Sequence, residues 1–179
     1  MKLMLNVPKK QITINDKIYY IPKLGLKHFG LIKNPEHVSD ALSKILKTIT
    51  TDQLNNSEAE YIILHILEFN NKIKKSVVTD DGYEFDIDDV SIPTDRTYMI
   101  NDKAYHFRKP YKFEIFDNVV DLLEKTYKGD DKPDFINLPA YVLKWSDEIR
   151  SSLILTSKCK RKTLYNLTQI MEVFNNGKL

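Results

Sequence analysis

Four carboxylates lie within six residues of one another, at Glu84, Asp86, Asp88 and Asp89. Alternate residues of a strand face the same side, so the first three would present oxygen ligands of the kind that Mg²⁺ and Ca²⁺ prefer. The spacing differs from that of a calcium-binding loop, in which acidic positions surround a central Gly. Aromatic and aliphatic residues alternate with the acids, which favours a half-buried strand with a solvated face over a metal site.

A single thiol, Cys159, lies in a cationic run formed by Lys158, Lys160, Arg161 and Lys162. Neighbouring cations lower the pKa of a thiol, and a thiolate beside a His can act as a nucleophile. No motif around Cys159 supports an active site. The same run could contact phosphates or an acidic partner surface, although its place before a helix is typical of a solvated loop.

Two apolar residues near the end of the sequence, Met171 and Phe174, are the best candidates for exposed anchors, because terminal helices often dock or detach. Most other apolar residues of the predicted helices are needed for a core. The candidate interaction residues are therefore the four cations of the run together with Met171 and Phe174.

His65 and Glu68 lie one helical turn apart, which permits a single pair, whereas a Glu-x-x-His metal motif needs the opposite order and a second copy. The sequence contains no phosphate-binding glycine loop, no G-x-S-x-G elbow and no H-E-x-x-H motif. We therefore name no catalytic residue, no metal ligand and no cofactor, and expect a protein that is not an enzyme.

Composition limits the class of protein and its partners. The 179 residues are 42% hydrophobic and 29% charged, which is typical of a globular domain, and we expect one compact α+β domain over residues 1–179 with a seam near 93–96. The 27 basic residues include only four Arg and are nearly balanced by 25 acidic ones, which argues against nucleic acid as a partner. A lone cysteine, no signal peptide and no apolar run of membrane length predict a reducing cytoplasm and no membrane span.

Three β-hairpins are predicted from β-branched and aromatic runs separated by turn residues. They cover 11–14 with 17–21 around Asn15-Asp16, 74–78 with 83–87 around Asp81-Gly82, and 97–100 with 103–107 around Asn101-Asp102. The first and third resemble one another, which indicates either a duplication or a shared turn chemistry.

Five amphipathic helices are predicted from apolar spacing and end signals. The first begins at Asn34-Pro35, and the second has a capping box of Ser57 and Glu60 and ends at Asn70-Asn71. The others cover residues 115–127 before Gly129, 137–149, and 164–174 before Gly177. Hairpins beside helices predict an α+β fold of antiparallel β-hairpins packed with about five amphipathic helices.

One combination of segments is characteristic as a whole. A basic hairpin runs into IPKLGLK at 21–27, and SEAEYIIL at 57–64, FDI at 85–87 and WSDEI at 145–149 follow before a final amphipathic helix. In this order they resemble the baseplate hub assembly proteins of T-even-type contractile-tailed phages over residues 11–174.

The resemblance implies a protein that acts by binding, as a hub subunit or an assembly chaperone, with other phage baseplate or tail proteins as partners. It places the protein in the host cytoplasm during assembly, and also in the tail baseplate of the virion if the protein is a hub subunit rather than a transient chaperone. Two alternatives stay open: a nucleic-acid-associated protein using Lys158 to Lys162 and the strands around Tyr105, and a phage enzyme with a site around His65 or the acidic strand. The first predicts binding that weakens steeply with salt, and the second predicts a pocket with convergent polar groups.

Overall fold

The structure, a computed structural model, describes residues 8–25, 38–112 and 114–177, with the backbone alone for 38–41. This part of the chain holds four two-stranded antiparallel sheets and five α-helices, so the predicted α+β class is confirmed. The elements are β1 Lys9–Ile14, β2 Lys17–Pro22, α1 Val38–Ile49, α2 Asn56–Phe69, β3 Ser76–Val78, β4 Glu84–Asp86, β5 Arg96–Ile100, β6 Lys103–Phe107, α3 Val119–Thr126, α4 Leu143–Arg150, β7 Ile154–Thr156, β8 Thr163–Tyr165 and α5 Asn166–Asn176. Short 3₁₀ turns cover Ile87–Asp89, Phe135–Asn137 and Ala140–Val142.

The first and third predicted hairpins are confirmed, including their turns. Asn15 and Asp16 have φ of 47° and 64°, and Asn101 and Asp102 have φ of 46° and 61°. These are the left-handed angles that a two-residue hairpin turn requires and that Asn and Asp tolerate. Whether the two hairpins arose by duplication stays a prediction.

The second hairpin is shorter than predicted, and a fourth hairpin was missed. Strands β3 and β4 have three residues each, because the acidic segment turns into a 3₁₀ helix at Ile87. The missed hairpin pairs β7 with β8, and its connection carries the whole cationic run. Leu164, predicted as the start of the last helix, instead lies in β8 opposite Leu155.

Helix α2 is capped two residues earlier than predicted. The Asn55 side chain accepts from the Glu58 backbone N–H at 2.9 Å, and the Glu58 carboxylate accepts from the Asn55 N–H at 2.9 Å. The capping box is therefore Asn55 with Glu58, and the prediction of Ser57 with Glu60 is wrong. Ser57 is buried and its hydroxyl has no hydrogen-bond partner. The predicted end at Asn70-Asn71 is confirmed, whereas the predicted start of α1 at Asn34-Pro35 lies outside the described residues.

The helices around the third hairpin are shorter than their apolar patterns predicted. Helix α3 begins after Asn118, whose side chain caps the Asp121 N–H at 2.9 Å. It ends at Tyr127, which leaves the helix to bridge Phe107 of β6, so Gly129 is not its cap. The helix predicted from residue 137 is split by Pro139 into two 3₁₀ turns followed by α4.

Buried side chains form three clusters. One unites β1 and β2 with α1 and α2, and a second unites β3, β4, β7, β8 and α5 with Leu64 of α2. Tyr61 and Leu67 of α2 pack against both, so this helix joins them. The third cluster, here called the aromatic cluster, combines β5 and β6 with α3, α4 and the turn between them; its buried members are Tyr105, Phe107, Leu122, Leu123, Phe135, Val142, Trp145 and Ile149. A division of the chain at 93–96, just before this cluster begins, stays a prediction.

Candidate interaction surfaces

The cationic run packs against the acidic strand of its own chain. The Lys158 backbone N–H donates to the Glu84 carbonyl at 3.0 Å, and its ammonium lies 3.1 Å from Asp89 and 4.0 Å from Asp86. The hydrogen bond to Asp89 raises the pKa of Lys158. Lys160 donates to the Asp81 carbonyl and lies 5.2 Å from the ring centre of Tyr83. Two of the four predicted contact cations are therefore engaged within the molecule.

Arg161 and Lys162 are exposed at the tip of the β7–β8 connection. In the described part of the chain neither side chain has an acidic partner. The backbone around them is held, since the Ser157 N–H donates to the Lys162 carbonyl at 2.9 Å. Their role in binding stays a prediction.

Cys159 is protonated more firmly than the surrounding cations would suggest. Its Sγ donates to the Glu84 carboxylate at 3.3 Å, and this contact raises the pKa of the thiol above its ordinary value of 9.0. A raised pKa lowers the fraction of reactive thiolate. The geometry thus favours a thiol without a catalytic role.

The acidic stretch is used in local hydrogen bonds. Asp86 accepts from the Ser76 hydroxyl at 2.5 Å and from the Asp88 N–H at 2.9 Å, and Asp88 has left the strand for the 3₁₀ turn. No group of three His, Cys, Asp or Glu side chains that could hold a metal ion occurs among residues 8–25, 38–112 and 114–177.

His65 is a core residue of α2 with 2% of its surface exposed. Its Nδ1 accepts from the Lys10 ammonium at 3.0 Å, which also pairs with Glu68 at 2.5 Å, and its ring packs edge-on to Tyr61. Burial, and then the positive charge of Lys10, lower the pKa of His65 to about 4. Its Nε2 is buried without a partner. His65 is therefore a residue of the core.

The two apolar candidates near the C-terminus differ in their placement. Phe174 is 1% exposed and belongs to the second cluster, so the expectation that it is an exposed anchor is wrong. The reason is that β3, β4 and the missed hairpin form a pocket for this face of α5. Met171 is half-buried on the same helix, and its role in binding stays a prediction.

A lysine that sequence reasoning missed is more deeply buried than any of these cations. Lys109 is 3% exposed, and its ammonium donates to the carbonyls of Glu148, Ile149 and Ser151 at 2.9, 3.2 and 2.9 Å. Burial, and then the positive charge of Arg96, lower its pKa to about 8. A lysine with a lowered pKa beside a cleft is typical of catalysis, yet all three of its donors are used to hold the end of α4. Lys109 is therefore a helix-capping group.

A groove lined by apolar residues lies over the aromatic cluster, between α3 and the start of α4. The groove has a volume of about 280 Å³. Its lining residues are all apolar: Val119, Val120, Leu123, Phe135, Ile136, Leu138, Pro139, Ala140, Val142 and Leu143. We call it the apolar groove.

The apolar groove has a buried floor and exposed walls. Leu123, Phe135 and Val142 are buried beneath it, and Phe135 packs in the aromatic cluster 5.9 Å from Phe107. By contrast, Ile136 is 75% exposed and Leu143 is 56% exposed. Isolated exposed apolar residues are common, but two that border one apolar depression mark a surface suited to binding another protein.

The reason for this exposure lies in the local sequence. Pro139 does not continue a helix, and the segment around it consists of two short 3₁₀ turns before α4, in which Ile136 and Leu143 lie exposed. Apolar residues flanking a proline in a predicted helix are the signal that could have indicated the groove.

Comparison with known proteins gives a consistent result. The sequence model of a family described as the baseplate hub distal subunit matches residues 21–174. The baseplate hub assembly protein gp28 of Enterobacteria phage T4 is 34% identical over 159 residues, covering 87% of this chain and 89% of that protein. No solved structure matches the chain.

Proposed function

The chain belongs to the family of baseplate hub distal subunits, and from this premise we propose that it assembles the baseplate hub of a phage tail by binding other baseplate proteins, without catalysing a reaction. The resemblance seen in the sequence is confirmed by the family match. The relative from phage T4 carries the name of a hub assembly protein over nearly the same length of chain, which supports the same role here.

The observation that carries the binding role is the apolar groove. Ile136 is 75% exposed beside a buried apolar floor, and a partner that covers this side chain lowers the free energy of the complex by removing apolar surface from water. The lysine, histidine and thiol that could act as a base or a nucleophile give no comparable support for catalysis. Lys109 and His65 are engaged in packing and capping, and the thiol of Cys159 has a raised pKa.

We further propose that the protein works in the host cytoplasm during assembly and stays in the virion as a hub subunit. The family description as a subunit supports retention in the particle. No helix among the described residues is long and apolar enough to span a membrane. Mass spectrometry of purified virions tests retention, because a transient chaperone would be absent from them.

The binding role is tested by an affinity pull-down of the tagged chain from host cells infected with the phage that encodes it. The retained proteins are identified at low and at high salt. We expect baseplate proteins that survive high salt, because burial of apolar surface is not screened by ions. Retention is expected to fall for Ile136→Asn and to persist for Ile115→Asn, which is 81% exposed outside the groove and controls for the change in residue type.

The nucleic-acid alternative predicts the opposite salt dependence. Companions released by moderate salt, together with nucleic acid in the eluate, would contradict the hub role and favour Arg161 and Lys162 as contacts. A pull-down without any companion would also contradict it and direct attention to an enzymatic site.

A further inference from the structure

The apolar groove lies in the acidic part of an otherwise basic protein. Residues 117–150, from two residues before α3 to the end of α4, contain eight acidic and five basic residues, a net charge of −3. Since the whole chain has a net charge of +2, the remaining residues have a net charge of +5. A partner that approaches the groove therefore meets a negative surface on a positive molecule.

The acids of this segment are only partly compensated by ion pairs. Two ion pairs are internal to this part of the chain: Glu124 with Lys132 at 2.8 Å and Asp121 with Lys125 at 2.9 Å. Asp130, Asp131 and Asp134 lie on the loop that leads directly into Phe135 and Ile136, and they have no cationic partner in the described residues.

The cations on this side are few. Lys128 pairs with Asp95 outside the segment at 3.0 Å, which leaves Lys144, directly after Leu143, as the exposed cation closest in sequence to the groove. The unpaired charge of residues 117–150 is thus predominantly negative.

The secondary structure around the groove indicates which conformation a bound segment would have. None of its lining residues belongs to a β-strand, so the groove offers no strand edge to which an extended peptide could add. It is bordered instead by α3 and the first turn of α4, the arrangement in which grooves accept the apolar face of an amphipathic helix.

We propose that the apolar groove binds a cationic amphipathic helix of a baseplate protein. Its aliphatic side chains, one turn apart, cover Ile136 and Leu143 and fill the groove, and its Lys or Arg residues face Asp130, Asp131 and Asp134. This inference rests on the proposed function and adds the chemistry of the partner.

The test uses two synthetic helical peptides with the same leucine face, one with Lys and the other with Glu at every polar position. Fluorescence anisotropy of labelled peptide measures binding to the full chain at about 50 mM and about 300 mM salt. We expect the Lys peptide to bind at least tenfold more tightly than the Glu peptide at low salt, and the difference to shrink at high salt.

Two pairs of variants separate the apolar and the charged contributions. Ile136→Asn is expected to weaken the Lys peptide about tenfold or more, whereas Ile115→Asn leaves it unchanged. The triple variant Asp130→Asn, Asp131→Asn, Asp134→Asn is expected to weaken it severalfold at low salt only. Its control, Asp16→Asn, Asp80→Asn, Asp81→Asn, removes the same charge from exposed positions outside the aromatic cluster and is expected to bind as the unaltered protein does.

Several outcomes overturn the inference. These are equal binding of the two peptides, equal effects of Ile136→Asn and Ile115→Asn, or no binding of the Lys peptide. Sedimentation velocity showing a dimer that Ile136→Asn dissociates would assign the groove to a second copy instead. If no peptide binds while Ile136→Asn still loses baseplate proteins in the pull-down, this inference fails and the proposed function stands; a pull-down without baseplate proteins contradicts the function itself.

Discussion

Replacing Lys109 tests whether a buried ammonium holds the aromatic cluster to the end of α4. Its pKa is lowered from 10.5 to about 8 in the folded protein. Between these values the unfolded chain binds the proton and the folded chain does not, so the free energy of unfolding contributed by this group rises as the pH rises. Below about pH 8 the group is charged in both states, and its contribution no longer changes. A pKa difference of this size corresponds to about 3 kcal/mol across that interval.

The assay is urea unfolding at about half-unit steps from about pH 7 to about 11, followed by the fluorescence of the single tryptophan, Trp145, which lies in the aromatic cluster. The protein and its Lys109→Met variant share every other titrating group, so the difference between their free energies of unfolding isolates Lys109. We expect this difference to rise by about 3 kcal/mol in favour of Lys109 between pH 8 and 10.5. Lys144→Met, which removes an exposed lysine of α4, is the matched control and is expected to give a constant difference. A difference that stays flat for Lys109→Met, or falls with pH, would refute the reasoning, because the three carbonyl contacts would then outweigh burial.

Three further predictions concern stability. Asn55→Ala removes the capping box of α2 and is expected to cost about 1 kcal/mol in chemical unfolding, whereas Ser57→Ala, which removes a buried hydroxyl without a partner, is expected to cost nothing or to stabilise; the reverse ranking would restore Ser57 as the cap. His65→Gln removes a group that binds a proton in the unfolded chain below pH 6.5 and in the folded chain only near pH 4. As the pH falls through this interval, the free energy of unfolding of the unaltered protein is therefore expected to drop by about 3 kcal/mol relative to that of the variant. Free energies of unfolding that fall equally with pH in the two proteins would contradict this. Phe174→Ala is expected to cost about 3–5 kcal/mol in thermal or urea unfolding, because the ring is 1% exposed in the core, and a fully stable variant that only lost binding would return this residue to the surface.

Local sequence signals were sufficient where a few neighbouring residues determine the backbone. Asn15-Asp16 and Asn101-Asp102 tolerate the positive φ of a hairpin turn, so two hairpins could be placed almost to the residue. The end of α2 at Asn70 was equally local, since its backbone N–H and side-chain amide both donate to the Ile66 carbonyl.

Local sequence signals gave the wrong assignment where contacts between residues distant in sequence determine the structure. The predicted cap of α2, Ser57, is buried against the core, and Asn55, two residues earlier, makes the capping hydrogen bonds instead. Strands of three residues, such as β7, are too short for alternation to identify and depend on pairing with a partner. The Lys-rich connection was assigned to a loop before a helix for the same reason.

For the candidate sites, too, the local composition of the sequence did not predict which charges are left unpaired in the structure. A run of cations in the sequence suggests a surface for a negative partner, but Lys158 and Lys160 lie against β4 and its loop, where Asp89 and the Asp81 carbonyl already occupy them. Arg161 and Lys162 keep unpaired positive charge at the tip of the β7–β8 connection, and unpaired charge of the opposite sign lies on the loop that leads into Phe135 and exposed Ile136. Because attraction to a partner depends on charge left over after internal pairing, the net +2 of the chain does not indicate its binding polarity. For a hub protein that must find one neighbour among many, an acidic border around an apolar groove provides both selection and affinity: the carboxylates disfavour acidic helices, and the apolar floor retains the basic one that fits.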